Sequence, residues 1–71
     1  MSDLYYVYTN EELKDRRLSS LLTEEGYYSQ FLGKIVQLLR IDKGEASLNR
    51  WMVLRLGDKQ ATFNEKAVKK L

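Results

Sequence analysis

The sequence predicts a small α+β domain, in which an N-terminal strand and two helices precede a β-hairpin and a short helix. Helix-start signals stand at Thr9 and Thr23, each of which is followed by carboxylates. The segment 27–41 carries its apolar residues on one side of a helical wheel. Two segments whose side chains alternate between two faces, as in a strand, flank a turn signal at 57–58. The 71 residues include no proline, no repeat and no linker, so we expect a single domain, 1–71.

The N-terminal part predicts a strand or an extended arm that leads into a capped helix. Residues 4–8 are aromatic and β-branched, which is typical of strands. Thr9 and Glu12 have the spacing of a capping box, in which the hydroxyl accepts from the amide at 12 and the carboxylate accepts from the amide at 9. Tyr8 and Leu13 can pack together across this cap. The first helix is placed at 10–22, with these residues inward: Leu13, Leu18, Leu21 and Leu22.

The second helix, over 27–41, is the element that the sequence indicates most directly. At 100° per residue its apolar side chains fall on one half of the wheel and its polar side chains on the other half. A strand would require alternation, and Val36, Leu38 and Leu39 would then occupy both faces. We therefore predict a helix that ends near Gly44, which can adopt the left-handed conformation of a helix cap or turn.

The C-terminal part predicts a hairpin and a last short helix. Residues 50–56 alternate as a strand should, the turn at 57–58 contains Gly-Asp, and 59–63 returns as the second strand. Asn64 can then cap a helix at 65–70. The expected inward residues of the hairpin are Met52, Leu54, Leu56, Ala61 and Phe63.

This element order resembles that of winged-helix domains, whose second helix enters the major groove of duplex DNA. The likeness is one of element order. The polar half of 27–41 would bond base edges and phosphates, and the hairpin would add further phosphate contacts. We therefore predict a DNA-binding protein, or an accessory protein of transcription or recombination. The predicted contact residues are Gln30, Lys34, Gln37, Arg40, Arg50, Arg55 and Lys59.

The alternative function is a protein-interaction module, which would act as a homodimer or as an adaptor or inhibitor of a larger protein machine. The chain has five tyrosines and one tryptophan. Such side chains anchor protein interfaces because they bury a large area at a small entropic cost. Tyr5 and Trp51 are the expected contacts, although each could equally cover a thin core.

The composition argues against catalysis and metal binding. The chain has no histidine and no cysteine, so the usual general base, the thiol nucleophile and the common zinc ligands are missing. Helix capping explains the paired glutamates, and we expect no enzyme, no cofactor and no small-molecule substrate. No signal-peptide pattern and no apolar stretch of membrane-spanning length is present, which favours a cytoplasmic protein without a membrane partner.

The charge is small in total but uneven along the chain. Residues 1–28 carry six acids and three bases, whereas residues 29–71 carry nine bases and four acids. The formal net charge of +2 does not by itself imply a polyanionic partner. The uneven distribution favours a molecule with one acidic and one basic part.

An SH3-like small barrel is the alternative fold. It would use 33–41, 50–56, 59–63 and 67–71 as strands, and it would favour single-stranded nucleic acid stacked on Trp51. The helical wheel of 27–41 is the observation against this alternative.

Overall fold

Five antiparallel β-strands account for most of the regular secondary structure in the described part of the chain. A computed structural model describes residues 3–43 and 50–71 of the chain. The strands are β1 (Leu4–Val7), β2 (Ile35–Lys43), β3 (Arg50–Leu56), β4 (Lys59–Asn64) and β5 (Val68–Lys70). They form one sheet in the order β4-β3-β2-β1-β5, and neighbouring strands are antiparallel. Within the two described ranges the other elements are one α-helix, α1 (Asn10–Asp15), and 3-10 turns at Ser19–Leu21, Tyr28–Phe31 and Glu65–Ala67.

The predicted winged-helix-like fold is wrong, because the described chain has a five-stranded sheet where that fold needs two packed helices. The six residues of α1 form its one α-helix. The structure is closer to the small-barrel alternative, since the four strands proposed for that barrel overlap β2, β3, β4 and β5. The sheet adds β1 between β2 and β5.

The predicted helix 27–41 is wrong, and its local sequence explains where helical structure stops. Tyr28–Phe31 makes one 3-10 turn, and Gly33 then has a φ of +74°. Leu32 is already extended at the end of the 3-10 turn, and the left-handed conformation of Gly33 suits glycine in the turn that leads into β2. The β-branched Ile35 and Val36 follow and begin β2.

A β-bulge in β2 explains why the sequence did not look like a strand. The pairing of β2 with β3 shifts between Leu38 and Arg40, so Leu39 is the extra residue. Val36 and Leu38 pack on the core before the bulge. After the bulge Ile41 lies on the same side of the sheet, because its partner on β3 is a buried core residue. The single inserted residue disrupts the alternation that a regular strand would show.

The predicted start of the first helix is confirmed. The Thr9 hydroxyl accepts a bond of 3.3 Å from the Glu12 amide, and the Glu12 carboxylate accepts one of 3.2 Å from the Thr9 amide. Together they form the capping box. Tyr8 and Leu13 are buried in one cluster, as the predicted contact across the cap requires.

The first helix is shorter than the predicted range 10–22 because a left-handed residue ends it. Arg17 has a φ of +60°, which no continuing α-helix allows. The Leu18 amide donates a bond of 2.8 Å to the Leu13 carbonyl, which is the six-to-one bond of a Schellman motif. Leu18 also packs against the cluster that contains Leu13, so an apolar contact accompanies the motif.

The hairpin prediction is confirmed, whereas the last helix is wrong. Strands β3 and β4 pair from Trp51 opposite Asn64 to Leu56 opposite Lys59, and Gly57 has a φ of +63°. The Asn64 side chain accepts a bond of 2.9 Å from the Lys66 amide, as a cap should. Only one 3-10 turn follows, and the chain then continues as β5, which pairs with β1. The predicted turn at Gly44 lies outside the described residues.

The core lies on one face of the sheet and has a smaller extension under α1. The main cluster consists of Val7, Phe31, Val36, Met52, Leu54, Ala61, Phe63 and Val68. The smaller cluster consists of Tyr8, Leu13 and Ala67. No helix in the described ranges has the length and apolar character needed to cross a membrane.

Candidate interaction groove

A groove of about 300 Å³ lies between the β1–β2 connection and the C-terminal half of β4. One wall comes from the connection, and the other comes from β3, β4 and the turn that follows β4. Most of its lining is apolar or aromatic. The lining residues are Leu21, Leu22, Thr23, Glu24, Tyr28, Trp51, Thr62, Phe63, Asn64 and Ala67.

Asn10 holds the first wall in place. Its side-chain amide donates a bond of 2.8 Å to the Thr23 carbonyl, and its side-chain oxygen accepts one of 2.8 Å from the Thr23 amide. Asn10 is the first residue of α1, whose start is fixed by the capping box. The helix cap therefore positions the segment 21–24 against the sheet.

Trp51 contributes the largest side chain of the second wall. It lies on β3 opposite Asp42 and Asn64, on the face of the sheet that points away from the core residue Met52. Trp51 is 38% exposed, which is a large accessible apolar area for an indole ring. Its ring is thus available to a molecule that enters the groove.

Tyr28 lines the groove next to the core residue Phe63. Its ring meets the Phe63 ring edge-on, with 5.8 Å between the centroids. This T-shaped arrangement is favourable for aromatic rings. Tyr28 is still 48% exposed, so its outer edge remains accessible.

The neighbouring Tyr27 hydroxyl is bound to the backbone of β4. It donates a bond of 2.8 Å to the Gln60 carbonyl and accepts one of 3.2 Å from the Gln60 amide. The Lys59 ammonium group also donates to the side-chain oxygen of Gln30. These bonds attach the second 3-10 turn to the outer edge of the sheet.

The groove has an acidic side. Glu24 is the one charged residue among the described residues of the lining, and Glu25 follows it in an exposed position. Across the groove the lining is neutral. A ligand with a positive charge next to an apolar part would complement this arrangement.

The lining offers hydroxyl, amide and carboxylate groups, and no nucleophile is paired with a base. In residues 3–43 and 50–71, no group of three carboxylates could hold a metal ion. The resolved pKa shifts belong to Tyr6 and Glu12, under the cap of α1 and outside the groove lining.

The residues predicted to contact DNA are distributed over several elements. The arrangement as a recognition helix is wrong, because β2 replaces the helix. Arg55 donates a bond of 2.7 Å to Gln37 across β2 and β3, and Arg40 forms an ion pair of 3.3 Å with Asp42. Gln30 accepts from Lys59, Lys34 precedes β2, and Arg50 begins β3.

Arg55 and Gln37 pair across two strands, Lys59 pairs with Gln30 of the 3-10 turn, and Arg40 pairs within β2, so no helical stripe connects these positions. Duplex DNA binding therefore stays a prediction that now lacks its proposed recognition element.

The two residues predicted to contact a protein lie on opposite faces of the sheet. Tyr5 is half-buried and packs against the main core, with Val36 and Lys70 as its partners in register. Trp51 lines the groove. They do not contribute to one surface, and Trp51 is the one that has an accessible site around it.

The sequence did not indicate the first wall of the groove. Leu21 and Leu22 were expected to be core residues of a long helix, and Thr23 was expected to start the next one. The serine and threonine content of 19–23 was a signal against a continuous helix, since these side chains compete for backbone hydrogen bonds. No protein-family model, curated protein or solved structure matches this chain.

Proposed function

We propose that this protein is a non-enzymatic interaction module that binds a segment of a partner protein in the groove beside Trp51. The exposed indole ring inside an apolar groove is the observation that carries the proposal. Tryptophan and tyrosine are the side chains most often responsible for binding energy at protein interfaces. The cytoplasm is the location that we propose for this module.

The partner segment that fits the groove is short and mostly apolar, and it has a lysine or arginine at one end. Leu21, Leu22 and Trp51 supply the apolar contact area, and Glu24 supplies the charge for the basic residue. A groove of about 300 Å³ holds a few side chains and no folded domain. The interface is therefore small, and we expect weak, reversible binding.

Selection from a random peptide library displayed on phage tests this function. The immobilised full chain is the target, and selected peptides are then synthesised and titrated while the fluorescence of Trp51 is recorded. Trp51 is the sole tryptophan of the sequence, so its emission reports on the groove directly. We expect the selected peptides to be apolar with a basic residue, and to shift the emission as the ring loses contact with water.

Two variants separate groove binding from other surfaces. Trp51→Ala should weaken binding at least about tenfold, which is the effect expected for a central aromatic contact. Arg55→Ala, on the hairpin and outside the groove lining, should leave the affinity unchanged. Peptides that bind Trp51→Ala as well as the parent chain would contradict the proposal.

The other predicted partners give different results in the same set of experiments. Binding to random duplex DNA that weakens steeply with salt and with Arg55→Ala would favour the nucleic-acid prediction. A stable dimer in sedimentation, with Trp51 protected in the absence of any peptide, would favour the homodimer. A failed peptide selection together with either result would replace the proposed function.

A further inference from the structure

Among the strands that the structure describes, none lies beside the edge of β4 that borders the groove. In the described sheet β4 lies at one end of the strand order and pairs with β3 alone. Such an edge presents backbone N–H and C=O groups that can pair with another extended chain. The groove lining includes Thr62, Phe63 and Asn64, which are the last three residues of β4.

The bonds of Tyr27 show which backbone groups point outward. The Gln60 amide and carbonyl both bind the Tyr27 hydroxyl, so they face away from β3. In an antiparallel pair the outward and inward residues alternate, and the pairing of β3 with β4 is regular from Leu56 opposite Lys59 to Trp51 opposite Asn64. The amide and carbonyl of Thr62 therefore also face away from β3.

Thr62 is the position where an added chain can bind. Within the described residues no backbone or side-chain group bonds to its outward amide and carbonyl. On one side Tyr27 already occupies Gln60, and on the other side the Asn64 side chain is 7% exposed and caps the following turn. The open edge is thus about three residues long and lies inside the groove.

We propose that the partner segment binds as a short additional strand, with a pair of backbone hydrogen bonds to Thr62. This inference rests on the proposed function and specifies its mode of recognition. Alternate side chains of the added strand would point toward Trp51 on the outer face of the sheet, and a basic residue would face Glu24 across the groove. The backbone supplies binding that does not depend on side chains, and Trp51 supplies the selectivity.

Thr62→Pro tests the proposal from the side of the domain. Proline removes the outward amide hydrogen, and it is tolerated on an edge strand where that hydrogen is not part of the ladder. Thr62→Val is the matched control, because it removes the hydroxyl and keeps the amide. We expect Thr62→Pro to bind a selected peptide about tenfold more weakly than Thr62→Val, which keeps the backbone bond.

N-methylation of the peptide tests the same bonds from the other side and does not depend on how Thr62→Pro folds. Each amide of a selected peptide is methylated in turn and titrated against the unaltered chain. We expect methylation of one central amide to weaken binding about tenfold. Methylation of the adjacent amides, which point away from β4, should have little effect.

The outcomes separate this inference from the proposed function. Suppose that Trp51→Ala weakens the affinity for selected peptides, whereas neither Thr62→Pro nor methylation at any position does. The groove then binds peptides, and the proposal of an added strand is wrong. If no peptide needs Trp51, the proposed function itself is wrong. A peptide-independent dimer that Thr62→Pro dissociates would show that the edge pairs with a second copy, which also overturns the proposal.

Discussion

Asn10 donates a hydrogen bond to the carbonyl of Thr23 and accepts one from its amide, and both bonds are 2.8 Å long. These two bonds connect the start of α1 with the wall of the groove. Asn10→Ala should lower the free energy of unfolding by about 1–2 kcal/mol, because it leaves two partly buried backbone groups without a partner.

Denaturation measures this loss, and hydrogen exchange at the Thr23 amide shows where it arises. Asn10→Asp is the comparison variant, because it keeps the acceptor for the Thr23 amide and sets a carboxylate oxygen against the Thr23 carbonyl in place of the donor. The Thr23 amide should therefore exchange more slowly in Asn10→Asp than in Asn10→Ala. Unchanged protection of the Thr23 amide in Asn10→Ala would show that these bonds do not hold the segment.

Arg17 occupies a backbone conformation that favours glycine, with a φ of +60° at the end of α1. Arg17→Gly should raise the free energy of unfolding by about 0.5–1 kcal/mol, because glycine adopts this conformation without steric cost. Arg17→Ala removes the same side chain and keeps the steric cost, so it should give no gain. Thermal and urea unfolding of the two variants would decide the matter, and an equal effect in both would contradict the conformational explanation.

Ile35 and Val36 are adjacent β-branched residues of β2 with opposite environments. Val36 is 2% exposed and Ile35 is 57% exposed. Val36→Ala should lower the free energy of unfolding by about 2 kcal/mol through lost burial and a cavity. Ile35→Ala should cost less than about 1 kcal/mol. A helix over 27–41 would place both residues on its apolar side, so similar losses in urea unfolding would argue against the sheet.

The Tyr6 hydroxyl donates a bond of 2.5 Å to the Glu12 carboxylate. This bond is the main cause that lowers the pKa of Glu12 below its ordinary value of 4.5, with the Thr9 amide as the next cause. The contribution of Glu12 to stability is therefore present above pH 4.5, and it is lost as the pH falls through the lowered pKa. The same bond raises the pKa of Tyr6 above its ordinary 10.0, so its contribution is lost as the pH rises through that raised pKa.

A pH series of urea unfolding tests this assignment. The stability difference between the parent chain and Glu12→Gln should be constant near neutral pH and should shrink in acid below pH 4.5. Tyr6→Phe should remove part of the same acid dependence, because the remaining bonds of Glu12 come from Thr9 alone. An acid dependence that is identical in all three proteins would place its origin in other carboxylates.

The elements that depend on residues close together in the chain were predicted correctly. The capping box joins Thr9 to Glu12, and the hairpin turn needs only Gly57 and its neighbours. The prediction of a helix at 27–41 was wrong. A helix and a strand would both bury apolar residues of this segment, and the bulge at Leu39 hides the alternation that would have indicated a strand. A bulge depends on the neighbouring strand, so a helical period can arise from a strand with one extra residue.

The groove could be predicted only in part. Trp51 was identified as a candidate contact from its residue type and its alternation in a strand. Its surroundings depend on the bonds between Asn10 and Thr23, which are 13 positions apart, and on the Tyr28 ring against Phe63, which is farther still along the chain. Such contacts leave no periodic signal in a single sequence.

The Tyr27 hydroxyl on the Gln60 backbone also bears on how the protein behaves at high concentration. A long bare strand edge is a template on which identical chains stack into fibrils. By saturating both groups of Gln60, one phenol interrupts the β4 edge and shortens the stretch with which another chain could pair. A single hydroxyl group therefore limits how far an extended chain can pair along β4, while Thr62 stays exposed in the groove.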